Sequence, residues 1–136
     1  MELMRRILRF VFVGGINTLI DVGVFNLLIL IFGFVGNVWL AIFNTISVSC
    51  AIINSYFMNR KWTFQNKNKP NGFEFFNFVG ISAVGCLINT GIVYFGLFLL
   101  PLFGISELLG VNVLKIVATI GSMLWNYIGY SWLYRI

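Results

Sequence analysis

Two ionisable residues, Asp21 and Lys115, lie within predominantly apolar stretches of the sequence that are long enough to cross a membrane. A charge in hydrocarbon costs roughly 2.5–3.5 kcal/mol on insertion scales, so such residues usually face a bundle interior or mark a pathway. At 1.5 Å per helical residue, Asp21 falls near the bilayer midplane and Lys115 toward the outer leaflet. Three interpretations are open: Lys115 extends to the outer surface, it pairs with Asp21, or the two residues handle substrate or protons.

The composition requires a membrane environment around these charges. Of the 136 residues, 60% are hydrophobic and 10% are charged, whereas about 25% of a soluble domain is charged. Four apolar stretches can each cross about 30 Å of hydrocarbon as a helix. We therefore predict an all-α membrane protein, a single transmembrane domain over residues 1–136, with spans at about 9–34, 38–59, 75–100 and 108–132.

The basic residues predict the orientation of these spans. Lys115 is one of nine lysines and arginines, and the other eight flank the same end of the four spans. The positive-inside rule makes that end cytoplasmic, so both termini should be cytoplasmic. The net charge of +5 then reflects topology and anionic lipid head groups, and nucleic-acid binding is not needed to explain it. The eight residues are Arg5, Arg6, Arg9, Arg60, Lys61, Lys67, Lys69 and Arg135.

The two halves of the chain resemble each other weakly. The sequence FVGG at residues 12–15 opens span one, and FVGI at residues 78–81 opens span three. Asn54 in span two is echoed by Asn126 in span four, each followed by aromatic residues. We expect two weakly repeated helix hairpins, related by an axis along the membrane normal.

Polar residues recur at helical spacing on each span. Lys115 and Asn126 share one face of span four with Thr119 and Ser122, and Asn54 shares a face of span two with Asn44 and Ser47. Span one offers Asn17 and Asp21. Small and polar residues also pack and hydrogen-bond membrane helices together. Interhelical contact and a polar route for a ligand therefore remain alternatives.

The segment from Arg60 to Phe64, RKWTF, closes span two. Trp62 and Phe64 are predicted interfacial anchors, because aromatic rings favour the head-group level. Arg60 and Lys61 beside them could serve only as ordinary interfacial charges. Alternatively, the forked guanidinium of Arg60 could bind a phosphate that belongs to the cargo.

Catalytic and metal chemistry find little support in the sequence. It has no histidine, and Cys50 and Cys86 lie in apolar segments, where they act as small packing residues. One intramembrane carboxylate without a nucleophile–base pair makes no catalytic constellation. We predict no enzyme activity, no metal site and no cofactor.

Over nearly its full length the chain resembles the GtrA-like family of small four-span membrane proteins. The match rests on residues 9–21 (RFVFVGGINTLID), residues 54–64 (NSYFMNRKWTF) and Lys115. The chain departs from the family in its WLYRI ending, where a second Arg-x-Trp/Phe-x-Phe motif is often found, so a symmetric two-arginine clamp is not expected.

This resemblance implies cell-surface polysaccharide or teichoic-acid glycosylation. Such proteins are thought to flip a polyprenyl-phosphate-linked monosaccharide across the bacterial cytoplasmic membrane, on undecaprenyl phosphate, beside membrane glycosyltransferases. Arg60, Lys61 and Lys115 would then bind the lipid phosphate. Asn17, Asp21, Asn54 and Asn126 would bond to the sugar head group. Four helices enclose little volume, which favours a homo-oligomer.

Two alternatives are kept beside flipping. A small proton-coupled multidrug exporter also has four spans and a carboxylate in span one, but such exporters often show weak charge bias. The other alternative is a non-transporting membrane partner that anchors a glycosyltransferase, for which serines in place of the charged residues would serve equally well.

Overall fold

A computed structural model of the protein describes residues 1–33, 36–99 and 107–134. Most of the predicted loop after span three lies outside these residues, and so does Arg135. Within them the chain forms four α-helices, and one turn of π-helix, Asn59–Thr63, continues directly from the second. The helices are α1 (Glu2–Phe32), α2 (Gly36–Met58), α3 (Gly72–Leu99) and α4 (Glu107–Leu133).

The helices form two compact hairpins, Met1–Lys69 and Pro70–Ile136. In the first hairpin α1 packs against α2 and the π-turn, and in the second α3 packs against α4. No strand occurs among the residues described. The predicted fold class, an all-α membrane protein of two helix hairpins, is confirmed.

The helix boundaries follow from local chemistry. Gly33 ends α1 with φ +76°, a conformation that glycine adopts without strain, and its amide bonds to the Ile29 carbonyl at 2.8 Å. Asn71 caps α3, because its Oδ1 accepts the Glu74 amide at 2.7 Å. The Asn71 cap explains why α3 begins three residues before the expected span. The helix α1 likewise begins seven residues before its expected span, within the basic N-terminal segment.

The outer surfaces of the helices are apolar and exposed, as a lipid-facing surface must be. Among the described residues two helices are long and apolar enough to span a membrane, Glu2–Phe32 and Gly72–Gly96, and little of either is buried within the protein. Each hairpin exposes large aliphatic and aromatic side chains, including Leu19, Leu30, Leu87, Phe95 and Ile128. In water such a surface would aggregate, whereas in a bilayer it contacts acyl chains.

Small residues bring α3 and α4 close together. A Cβ at Gly85 would collide with the Asn126 amide, and one at Gly129 would lie 2.5 Å from Ile81 Cγ2. Such close approach is how membrane helices gain packing energy without a hydrophobic driving force. Phe78, early in α3, stacks on Tyr130, late in α4, with ring centroids 4.2 Å apart.

Candidate functional site

In the first hairpin a hydrogen bond joins the intramembrane carboxylate to the facing helix. Ser47 of α2 donates to Asp21 Oδ1 at 2.5 Å and lies 3.0 Å from the Asn44 carbonyl. Ser47 is 0% exposed, and Asp21 is half-buried. Ser47, a member of the polar face predicted for span two, is therefore turned toward α1. A carboxylate held in this way is partly compensated for its loss of water.

One helical turn nearer the basic end, a second polar pair crosses the same interface. Asn54 Nδ2 donates to Asn17 Oδ1 at 2.8 Å and lies 3.3 Å from the sulfur of Met58. Asn17 and Asp21 are four residues apart on α1, so the two hydrogen bonds form one polar line within the hairpin. The structure thus brings together three of the four predicted head-group residues. Their contact with a sugar stays a prediction.

The π-turn places Arg60 inside the protein. Its side chain is 3% exposed, and its guanidinium donates to the carbonyls of Asn66 (3.2 Å) and Asn68. Gln65 supports this arrangement with a left-handed backbone, φ +50°, that lets the Asn66 amide bond to the Arg60 carbonyl at 2.8 Å. Arg60 therefore organises the segment that follows α2. Its predicted contact with a lipid phosphate stays a prediction.

The neighbouring cation and aromatic ring are exposed at the same end of the hairpin. Lys61 projects from the surface with its Nζ 5.8 Å from the centroid of Phe57, and Trp62 is partly exposed. Phe64, the other expected anchor, is buried. The difference arises because the π-turn and the left-handed Gln65 turn the chain back onto the hairpin.

Arg9 joins this end of the hairpin from α1. Its Nη1 donates to the Trp62 carbonyl at 3.1 Å, and the guanidinium lies 5.6 Å from the Trp62 ring centroid. Phe12 meets the same ring edge-on at 5.5 Å. From the sequence, Arg9 marked only the span boundary, the basic end of the spans and the start of the family motif. Its spacing from Trp62, 53 residues along the chain, carries no local signal.

Two further polar residues, Asn59 and Thr63, stand out in the π-turn. Both are nearly fully buried, and among the described residues Asn59 Oδ1 and Thr63 Oγ1 have no hydrogen-bond partner. Asn59 Nδ2 donates to Ser55 at 3.1 Å. Turns of π-helix are rare, and where they occur they are frequently found at functional sites. The sequence carries no local signal that predicts this π-turn.

The second hairpin holds the remaining predicted residues. Lys115 is exposed on α4, where its carbonyl accepts a hydrogen bond from Thr119 at 2.8 Å. Asn126 packs against Gly85, and its Oδ1 is buried without a hydrogen-bond partner in the part of the chain described. Lys115 and Asp21 belong to different hairpins. The suggested ion pair between them stays untested.

Metal and disulfide chemistry have no visible basis in residues 1–33, 36–99 and 107–134. There, no three His, Cys, Asp or Glu side chains cluster as metal ligands would. Cys50 is half-buried on α2 and Cys86 is exposed on α3, and both are free thiols.

Comparison with known proteins places these features in a family context. Residues 9–134 match the family described as GtrA/DPMS, transmembrane domain. The chain is also 40% identical over 121 residues to an uncharacterized membrane protein, YngA, of Bacillus subtilis (strain 168). That alignment covers 89% of this chain and 73% of the relative.

Proposed function

This protein belongs to the GtrA/DPMS transmembrane-domain family, and we propose on that basis that it moves a polyprenyl-phosphate-linked monosaccharide across the cytoplasmic membrane. The family supports the broader statement that this is a membrane protein of glycosylation-related sugar-lipid handling. Members of the family are generally non-enzymatic. The proposed role is accordingly transport without bond making or breaking.

The observation that carries the proposal is the polar line inside an otherwise apolar hairpin. Two hydrogen bonds, Ser47 to Asp21 and Asn54 to Asn17, cross between α1 and α2. A hydroxyl-rich sugar and a phosphate cannot cross hydrocarbon unaided, because each unsatisfied polar group there costs several kcal/mol. Side chains that exchange internal hydrogen bonds for bonds to the cargo would lower that barrier. The prenyl tail would stay in lipid throughout.

Cationic residues of both hairpins would bind the phosphate. Lys61 is exposed at the basic end and is the phosphate contact we assign to the cytoplasmic face. Arg60, held by two carbonyls, would fix the segment that carries Lys61 and add its positive charge. Lys115, exposed on α4, would receive the phosphate nearer the outer leaflet. Each contact would be a charge-assisted hydrogen bond.

The setting we propose is the cytoplasmic membrane of a bacterium, with both termini inside. The carrier would be undecaprenyl phosphate, and the sugar would serve polysaccharide or teichoic-acid glycosylation. One membrane glycosyltransferase would load the carrier inside and another would use it outside. A homo-oligomer would supply the volume that four helices lack.

The test is translocation by purified protein in liposomes that contain a labelled polyprenyl-phosphoryl sugar. We expect Lys61→Gln combined with Lys115→Gln to slow translocation at least about tenfold, because two charge-assisted contacts are lost. Lys69→Gln, which removes another exposed cation near the same end, is the matched control. Equal rates for the double variant and the wild type would contradict this assignment of roles.

One observation favours a second candidate, a non-transporting anchor for a glycosyltransferase. Asp21 and Asn17 each have a hydrogen-bond partner within their own hairpin, as purely structural residues would. Copurification with a glycosyltransferase from a preparation that shows no translocation would support this candidate. A proton-coupled exporter predicts instead cation resistance that is lost in Asp21→Asn.

A further inference from the structure

A groove of about 610 Å³, lined by both polar and apolar side chains, lies within the second hairpin, between the start of α3 and the end of α4. None of the residues discussed above as a site belongs to it. Small-molecule sites generally measure roughly 300–1,000 Å³, so the groove can hold one sugar ring with its substituents. The residues that decide its chemistry are Asn71, Glu74, Asn77, Ser131 and Trp132.

The wall of the groove offers several hydrogen-bonding groups. The Glu74 side chain is only 9% exposed, and the Asn77 amide is half-buried. Ser131 Oγ is buried and has no hydrogen-bond partner among the described residues. Buried hydroxyls are normally bonded, so an unpartnered one beside a groove indicates a place where a ligand could complete the bonding.

Trp132 gives the same groove an aromatic surface. Its side chain is 77% exposed, so the face of the ring is accessible to a ligand. A flat ring beside carboxylate, amide and hydroxyl groups suits a ligand with an apolar ring face and a polar rim. A monosaccharide has both features, because its C–H groups can lie on the aromatic ring while its hydroxyls bond at the edge.

The charge of the groove separates a sugar from a phosphate. Its lining includes one carboxylate and, among the described lining residues, no lysine or arginine. A phosphate finds no cation among these lining residues, whereas a sugar hydroxyl can donate to the Glu74 carboxylate in a charge-assisted bond.

We propose that this groove binds the monosaccharide ring of the lipid-linked sugar, with Glu74 accepting its hydroxyls and Trp132 stacking on its face. The inference rests on the proposed function and deepens it, because it separates sugar recognition from phosphate recognition. Trp132 lies in the last turn of α4, at a level suited to the head-group region. The sugar would thus be selected before it crosses the apolar interior.

Binding to purified protein in nanodiscs tests the groove directly. The probes are citronellyl phosphate and its glucose, galactose and N-acetylglucosamine conjugates. We expect the wild type to bind at least one conjugate more tightly than citronellyl phosphate alone. Glu74→Gln should weaken that conjugate about tenfold, the effect of about 1.4 kcal/mol, and Trp132→Ala should weaken it several-fold. Neither variant should alter the affinity for citronellyl phosphate.

The matched controls, Glu2→Gln and Trp39→Ala, replace the same residue types outside the groove. They should leave every affinity unchanged. Trp132 is exposed, so its variant is expected to fold even if Glu74→Gln does not. Conjugates that bind both groove variants as tightly as the wild type would overturn the inference. So would a wild type without preference for any conjugate. Sugar binding that depends on Glu74, in protein that shows no translocation, would support the groove and overturn only the flipping role.

Discussion

Arg60 is the residue at which substitution can distinguish most clearly between a structural role and a ligand-binding role. Its guanidinium is 3% exposed and donates two hydrogen bonds to carbonyls of the following segment. A hydrogen bond to a charged group contributes roughly 1.5–3 kcal/mol. Because Asn66 is only half-buried and Asn68 is exposed, water can partly replace the lost donor, and the lower end of that range applies. At about 1.5 kcal/mol for each bond, Arg60→Lys, which can keep one of the two bonds, should lower the free energy of unfolding by about 1.5 kcal/mol, and Arg60→Met, which keeps neither, by about 3 kcal/mol.

Two measurements check these values. Reversible unfolding in mixed micelles gives the free energy of unfolding, and hydrogen exchange reports the amides of residues 64–69. Exchange there should accelerate by about tenfold in Arg60→Lys, since 1.4 kcal/mol corresponds to a factor of ten. Lys61→Met, which alters the exposed neighbour, should change neither quantity. If Arg60→Met leaves both the unfolding free energy and the exchange rates as in the wild type, the structural role assigned to Arg60 is wrong.

Two further predictions concern the hairpin interfaces. Gly85→Ala should lower the free energy of unfolding by about 1–3 kcal/mol, because its Cβ would collide with Asn126. Gly80→Ala is the control and should not lower it, because a Cβ there would meet nothing within 4 Å. Equal effects of the two substitutions in the same micelle assay would contradict the packing argument. Ser47→Ala removes the bond to the carboxylate of α1 and should cost about 0.6–1.7 kcal/mol, the range for membrane hydrogen bonds. Ser49→Ala, on the exposed side of the helix, should cost less.

The fold follows from the sequence because its signals are local and strong. Apolar runs of membrane length require helices, and Gly33 and the segment around Pro70 interrupt them where the structure does. The pairing of Asn17 with Asn54 was also accessible in part, since helical spacing placed each residue on a polar face.

The environment of Arg60 could not be predicted in the same way. The sequence shows a basic pair and two aromatic residues at the end of a span, the pattern of an exposed interfacial anchor. The π-turn adds a residue to the helical turn, and the left-handed Gln65 then reverses the chain. These two backbone features bury Arg60 and Phe64 while Lys61 and Trp62 stay accessible.

The groove of the second hairpin was equally hidden from sequence reasoning. Glu74 and Trp132 are 58 positions apart and look like unrelated residues near two helix ends. Only the pairing of α3 with α4 places them beside the same cavity. For Asn126, the residue type suggested a role in binding a ligand. Its position against Gly85 depends on the close packing of α3 and α4, which the sequence does not show.

The most direct test of lipid-linked sugar transport is a sidedness measurement in proteoliposomes. A labelled polyprenyl-phosphoryl monosaccharide is incorporated into both leaflets, and a membrane-impermeant reagent that destroys the exposed sugar is added outside. With the wild-type protein we predict that nearly all of the label is consumed, because inner-leaflet lipid is brought outward. Protein-free liposomes should retain their inner-leaflet share. Retention of that same share in sealed vesicles with folded wild-type protein would contradict the account.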